Sequence, residues 1–419
     1  MDERDGAGGP VLACQRDLFS LPEGLHYLNC AYMSPLPRPV EEAVARGLRR
    51  KRNPMDIAPR DFFEDVEEVR RRFGDVLGGD PERVAIVPSV SYGISLCARN
   101  LEVGRGQRIV VTAEQFPGNV YAWRRVAAEA GAEVVTVGPG AGDADEGSAP
   151  QGEDGRVTPG GAAGGGGAPG GSRGARWNAR LLEAVTPETA VVALPHVHWT
   201  DGTLFDLEAV GRRAREFGAA LVLDATQSVG ALPLDLEAVR PDAVVTATYK
   251  WLLGPYSMAL VWMGDRFADG VPLEETWMGR EGSEDFQHLV DYRNEYQAGA
   301  RRYDVGEVAN FGLLPGVKEA LGLIAAWRPR RIQAYCADLT APLVETARDR
   351  GFVVEDDRWR GQHLFGIRMR PDVELDRLKA ELDRRRISAS LRGTALRVSP
   401  NVYNDAEDVA ALQEVLDDF

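Results

Sequence analysis

Lys250 is the residue whose type and setting most clearly point to chemistry. It is one of only four lysines among 49 basic residues, and it follows a β-type run in Asp242-Ala-Val-Val-Thr-Ala-Thr-Tyr-Lys-Trp-Leu-Leu-Gly254. Lys51, Lys318 and Lys379 sit among Arg, Glu and Asp, where a solvated side chain is the ordinary expectation. An arginine at 250 would stay protonated and could not form an imine. A lysine can, once an apolar surround lowers its pKa. Taken alone, Lys250 leaves two readings open: a nucleophilic amine, or a chain that snorkels from a strand end.

The residues upstream favour the nucleophile. Ala219-Ala-Leu-Val-Leu-Asp-Ala-Thr-Gln-Ser228 is a continuous apolar run of the kind that forms a strand covered on both faces, and it delivers Asp224 at its C-terminal end. In open α/β sheets, ligands bind at that edge. An acid there, Gln227 three positions on and a lysine after the next strand suit a cofactor that needs an anchoring imine and a partner for a basic ring nitrogen. Pyridoxal 5'-phosphate has those needs.

These side chains must be positioned by a series of alternating strands and helices. Val84-Ala-Ile-Val87 reads as a strand, followed by a helix starting near Ser91. Gln107 to Thr112 and Ala132 to Val137 read as strands flanking a helix that holds Tyr121-Ala-Trp-Arg-Arg125. Asp206 to Phe217 reads as a helix, with Asp206 as N-cap and Gly218 as its stop. The series predicts an α/β protein with a mainly parallel sheet. Near Pro315 the pattern changes to a long helix, Gly316 to Trp327, and then a charged α+β stretch to Phe419. The expected organisation is a large cofactor domain over residues 26–310 and a small C-terminal domain over 311–419, the latter joined by residues 1–25.

Composition narrows the class. With 419 residues, 44% of them hydrophobic, the chain can fill two cores. No apolar run approaches the length of a membrane span, and acidic and basic residues at positions 2–5 interrupt any signal-peptide core, so a cytoplasmic location is expected. A net charge of -15 argues against a nucleic-acid partner. The four cysteines, at 14, 30, 97 and 336, lack the paired spacing of a disulfide or zinc framework. Residues 138–175 are rich in Gly, Ala, Pro, Asp and Glu; they read as a disordered surface insertion. Their glycine run lacks the Lys-Ser/Thr of a phosphate loop.

Three motifs then carry a resemblance: Asp224-Ala-Thr-Gln-Ser-Val-Gly230, Thr246-Ala-Thr-Tyr-Lys-Trp-Leu-Leu-Gly-Pro255 and Ser390-Leu-Arg-Gly-Thr-Ala-Leu-Arg-Val-Ser-Pro-Asn-Val-Tyr-Asn404. Together they resemble the class V aminotransferase family of fold-type I pyridoxal phosphate enzymes, which includes cysteine desulfurases, kynureninases, isopenicillin N epimerase and the ergothioneine C-S lyase. The resemblance runs from about Tyr27 onward, outside the glycine-rich insertion. It implies that Lys250 bears the cofactor and moves the proton at the substrate Cα, that Asp224 pairs with the ring nitrogen, and that Gln227 bonds the phenolic oxygen. It also implies that Ser91 and Tyr92 open a phosphate-binding helix, that Tyr249 donates to the phosphate, and that Phe116 stacks on the ring with Asn119 beside it.

For the substrate, the resemblance implies a carboxylate held by Arg392, with Arg397 as the alternative, and a site bordered by Asn29 and Tyr32. It implies a homodimer with sites at the interface, the neighbour supplying a phosphate contact. Glu307 stands where desulfurases place a threonine for that contact, so the Trp277-Met-Gly-Arg280 segment is the substitute. Trp199 departs from a family asparagine. His196 and His198 alternate on a strand, but no third ligand is evident and no metal is expected. Desulfurases carry a nucleophilic cysteine on a loop after the clamp arginine, and Arg392-Gly-Thr-Ala-Leu-Arg397 has none. The expected reaction is therefore β-elimination from an amino acid, of C-S lyase type, without a catalytic cysteine. Transamination, epimerisation or decarboxylative deamination on the same scaffold is the runner-up, and a non-catalytic binding protein the remote alternative.

Overall fold

The computed structural model describes residues 12–140 and 172–419. A seven-stranded sheet forms its centre, in the order Val84–Val87, Ala259–Met263, Ala243–Ala247, Ala220–Asp224, Thr189–Pro195, Arg108–Thr112 and Glu133–Val137. Only Ala259–Met263 runs antiparallel to its neighbours. The mainly parallel sheet expected from the alternation is thus present. Its central strands are mostly apolar because helices cover both faces. Every residue of Ala220–Asp224 and Ala243–Ala247 is buried, and each fully covered Leu or Val contributes about 1.5–3 kcal/mol.

Helix boundaries follow local chemistry. Asp206 caps the helix Leu207–Glu216 by accepting the Ala209 N–H at 3.0 Å, and Gly218 adopts a positive φ just past its end. The long helix near Pro315 begins earlier than the sequence predicts, at Leu314, because Pro315 fits the first turn, where its missing N–H costs nothing.

A four-stranded antiparallel sheet, Ser390–Arg392, Ala395–Val398, Phe365–Arg368 and Val353–Val354, lies toward the C-terminus. The N-terminal strand His26–Tyr27 pairs in parallel with Ile387–Ser388, and Gln15 N–H donates to Val402 O at 2.7 Å. Of the expected insertion at 138–175, residues 141–171 lie outside the described residues. Its last part is structured: Ser172 caps the helix Arg173–Ala184 through the Ala175 N–H, a correction to the expected boundary. The apolar stripe of that helix, with Trp177 and Leu181 buried, is what the small-residue composition before it hid. Among the described residues no helix is long and apolar enough to cross a membrane.

Candidate active site

Five strands end at one edge of the large sheet, and the segments that follow them line a small, partly open cavity. Asp224 terminates its strand with 6% exposure, its Oδ1 accepting the Thr226 N–H at 3.0 Å. Burial pushes its carboxyl pKa up, against the pull of the Thr226 bonds and of the Lys250 charge. Lys250 follows the neighbouring strand. There the chain folds back: Gly254 N–H bonds Thr248 O at 2.8 Å and the Thr248 hydroxyl bonds Pro255 O at 2.6 Å, so Lys250 is carried on a short, braced turn. Its amine lies 5.5 Å from the centroid of Phe116 and 5.6 Å from that of Tyr249. Burial lowers its pKa from 10.5 to about 8, opposed by Asp224 and assisted by the positive charges of Arg397 and Arg392. An amine with that pKa is a usable nucleophile near neutral pH.

Gln227 is buried on the same side. Its Nε2 donates to Ala31 O at 3.1 Å and its Oε1 accepts the Trp251 indole N–H at 2.9 Å, which fixes the amide and leaves one N–H for a ligand. Gly230, at the end of the same motif, has φ 105, and a Cβ there would meet Trp251 O at 2.4 Å. The glycine lets the Asp224 and Lys250 segments pack together.

The helix Val90–Arg99 points its N-terminus at the cavity, with Val90 and Ser91 lining it. Its N-cap is Ser89, not Ser91: the Ser89 hydroxyl takes the Tyr92 N–H at 3.1 Å. Ser91 sits inside the first turn with its hydroxyl free to face the cavity. A Cβ on Gly118 would lie 3.0 Å from Ser91 Oγ, a tight contact that would displace the hydroxyl. Tyr92 is a correction to the expected set. Its N–H is taken, and its hydroxyl is buried beside Glu274 rather than in the cavity, because a residue one position on from Ser91 faces a different side of the helix. Asn119 is a second correction: its Oδ1 accepts the Trp123 indole N–H at 2.9 Å, which turns it into the core. Tyr32 is 60% exposed and lies outside the cavity lining.

Phe116 and Tyr249 do line the cavity. Gln115, which the sequence reading left without a role, lines it too. Its Oε1 accepts the Phe116 N–H at 2.8 Å, and its buried Nε2 has no hydrogen-bond partner among the described residues. Orphaned donors are costly unless a ligand meets them. The signal for Gln115 was its place directly before Phe116, in the turn after the strand Arg108–Thr112. Trp251, also missed, was signalled by its position after the lysine, since a buried indole needs an acceptor.

The arginines of the four-stranded sheet converge from the other side. Arg397 is 1% exposed; its Nη1 donates to Trp199 O at 2.7 Å, and its Nη2 lies 3.4 Å from both Asn29 Oδ1 and Ser390 Oγ. Burial, then the neighbouring Arg392 charge, lowers its pKa to about 10. Arg392 lies over the Trp199 ring, 5.3 Å from its centroid, with Nε buried and without a partner. Among the described residues no carboxylate pairs with either. Asn29 thus serves Arg397 directly. His196 and His198 are buried on the face away from Val197 and Trp199, which line the cavity; His198 bonds Thr200 and Ala113 O and packs 4.7 Å from Trp177. In the Trp277-Arg280 segment, Trp277 packs in an aromatic group with Phe62, Phe63 and Phe286, and Arg280 pairs with Glu275.

A buried lysine and aspartate on adjacent strands, an anion-ready helix end with Ser91, and unpartnered donors between them fit pyridoxal phosphate. Residues 171–412 match the aminotransferase class-V family. The chain belongs to that family. Its relatives within the family include an uncharacterized aminotransferase of Bacillus subtilis (strain 168), 24% identical over 359 residues, 85% of this chain and 84% of the relative. Isopenicillin N epimerase of Streptomyces clavuligerus is 23% identical over 401 residues, 93% and 94% of the two chains. Among solved structures, an apo cysteine desulfurase from Thermococcus onnurineus NA1 superposes with a TM-score of 0.75 at 18% identity, covering 97% of this chain and 98% of that one. The class-V fold is therefore common to the chain and to that structure. Pyridoxal phosphate is the family's cofactor.

Proposed function

We propose that this class-V enzyme acts on an amino acid and eliminates a substituent from its Cβ, of thioether or disulfide type, without a cysteine of its own. When bound, the cofactor supplies a carbonyl for amines and a sink for the electrons of bonds at the substrate Cα. The protein's residues supply the rest. Lys250 would hold the cofactor through Nζ, and its amine would serve as the base and acid at the substrate Cα. Asp224 would keep the ring nitrogen protonated; a cation bound there would oppose the upward push that burial gives the carboxyl. The free N–H groups opening Val90–Arg99, with Ser91 Oγ, hold the phosphate. Phe116 would pack against the cofactor, and Arg392 and Arg397 would take the substrate carboxylate.

The observation that carries the reading is the hairpin between those arginines. Ser390–Arg392 and Ala395–Val398 are joined by Gly393 and Thr394 alone, Gly393 at φ 57. Two residues leave no mobile loop and no thiol. Cys30 is the cysteine whose charge reaches Lys250, but it is fully buried, accepts the Asn401 N–H at 3.3 Å and is pushed up to about 12 by burial. A thiol so protonated is a poor nucleophile. Leaving the sulfur on the departing group avoids the need for one.

The second reading, transamination or epimerisation, is favoured by the names of the full-length relatives, an aminotransferase and an epimerase. The two are separated by incubating the loaded enzyme with S-methyl-L-cysteine, L-cystine and L-alanine. Pyruvate, ammonia and a thiol or persulfide support the elimination; a keto acid formed with the cofactor left as its amine supports transamination and overturns it. We also read the enzyme as a homodimer, since Tyr32, Tyr256, Val290 and Tyr292 leave large apolar side chains 60–91% exposed.

A further inference from the structure

Trp199 lines the pocket and contacts Phe116, Arg392 and Arg397, and no role in the chemistry has been given to it. Its indole N–H donates to Glu114 O at 2.6 Å. Glu114 has a positive φ of 50, an unfavourable conformation for a residue with a side chain, and it immediately precedes Gln115 and Phe116. The bond therefore ties down the turn that presents the ring-covering Phe116, which meets the indole edge-on at 5.6 Å and 87°. On its other side the indole carries the Arg392 guanidinium, 5.3 Å from the centroid. Its backbone carbonyl takes Arg397 Nη1 at 2.7 Å. One residue thus holds the ring-covering loop and both carboxylate-binding arginines.

The two contacts with arginine differ in kind. The Trp199 carbonyl would bind Arg397 whatever side chain residue 199 carries. Arg392 has no comparable anchor: its Nε is buried without a hydrogen-bond partner, and among the described residues no carboxylate pairs with it. The aromatic face is what fixes its guanidinium. Such a contact is worth more out of water than in it.

We propose that Trp199 is the positioning residue that aims Arg392 at the substrate carboxylate and sets its distance from the cofactor ring. This rests on the amino-acid reading of the site. The flat indole also forms the wall between the carboxylate-binding arginines and Phe116, so a substrate enters with its carboxylate on the Trp199 side of the ring.

The test compares Trp199→Phe, which keeps an aromatic face and loses the bond to Glu114 O, with Trp199→Leu, which loses both. Each variant is loaded with pyridoxal phosphate and titrated with propionate, a carboxylate lacking an amine, by calorimetry. The expected result is propionate affinity weakened roughly 2- to 30-fold in Trp199→Leu and restored to within about 2-fold in Trp199→Phe, with the absorbance of the lysine-attached cofactor unchanged in both. Crystal structures of the wild type and Trp199→Leu supply a second readout: Arg392 should leave its place in the leucine variant. Arg392 keeping that place, or wild-type propionate affinity in Trp199→Leu, would overturn the role of Trp199. Failure of the wild type itself to bind propionate would instead overturn the amino-acid reading, and the position of Arg392 would still decide the role of Trp199.

Discussion

The lowered pKa of Lys250 makes a quantitative demand on how the protein takes up its cofactor. Only the neutral amine attacks a carbonyl. With a pKa of about 8, roughly 10% of Lys250 is neutral at pH 7, against roughly 0.03% for a lysine at its ordinary 10.5, a difference of about 300-fold. The drop corresponds to about 3 kcal/mol against the ammonium form, drawn mainly from burial of a side chain 6% exposed. The rate at which the apo-protein captures pyridoxal, followed by absorbance in a stopped-flow instrument from pH 6 to 10, should rise about tenfold per pH unit and level off near pH 8. The Asp224→Asn variant sharpens the test. Asp224 is the leading group that favours the ammonium, so its neutralisation lowers the lysine pKa further and moves the midpoint to lower pH. A midpoint near 10.5 in the wild type, or one moving upward in Asp224→Asn, would refute the reasoning.

Two further perturbations test the supports of the site. Gly230→Ala places a methyl 2.4 Å from Trp251 O in a conformation that alanine avoids; it should destabilise the protein by about 1–3 kcal/mol and weaken cofactor retention in dialysis, whereas unchanged retention would show that the two segments pack independently. Arg70 is buried, bonds Val84 O and pairs with Asp304, which accepts the Ile86 N–H at 2.8 Å. Arg70→Ala leaves that carboxylate buried alone and should cost about 3–5 kcal/mol in denaturant unfolding; a loss below 1 kcal/mol would contradict the pairing.

The sequence made legible what depends on short, local patterns. Asp224 and Lys250 stand at the ends of apolar strands whose composition alone announces a parallel sheet, and the sheet brings them together as expected. Residues whose role depends on direction within a turn were harder to read. Ser89 and Ser91 are both serines before a helix, and only the backbone decides which caps it. Tyr92 and Asn119 lie next to cavity-lining residues yet face elsewhere, one toward Glu274 and the other toward Trp123. Long-range partnerships were out of reach: nothing in the sequence joins Asn29 to Arg397, 368 positions away, or Trp199 to Arg392. The end of the insertion was misread because Ser172 continues its composition while starting a helix.

On the proposed function, Lys250 Nζ bears the cofactor. Its most direct test is the absorbance spectrum of purified Lys250→Ala after loading with pyridoxal phosphate, with borohydride reduction and peptide mass analysis of the wild type alongside. The band of the attached cofactor near the visible edge should be lost in the variant, and reduction should fix the cofactor mass on the peptide holding residue 250. An intact band in Lys250→Ala, or the mass on another lysine, would contradict it.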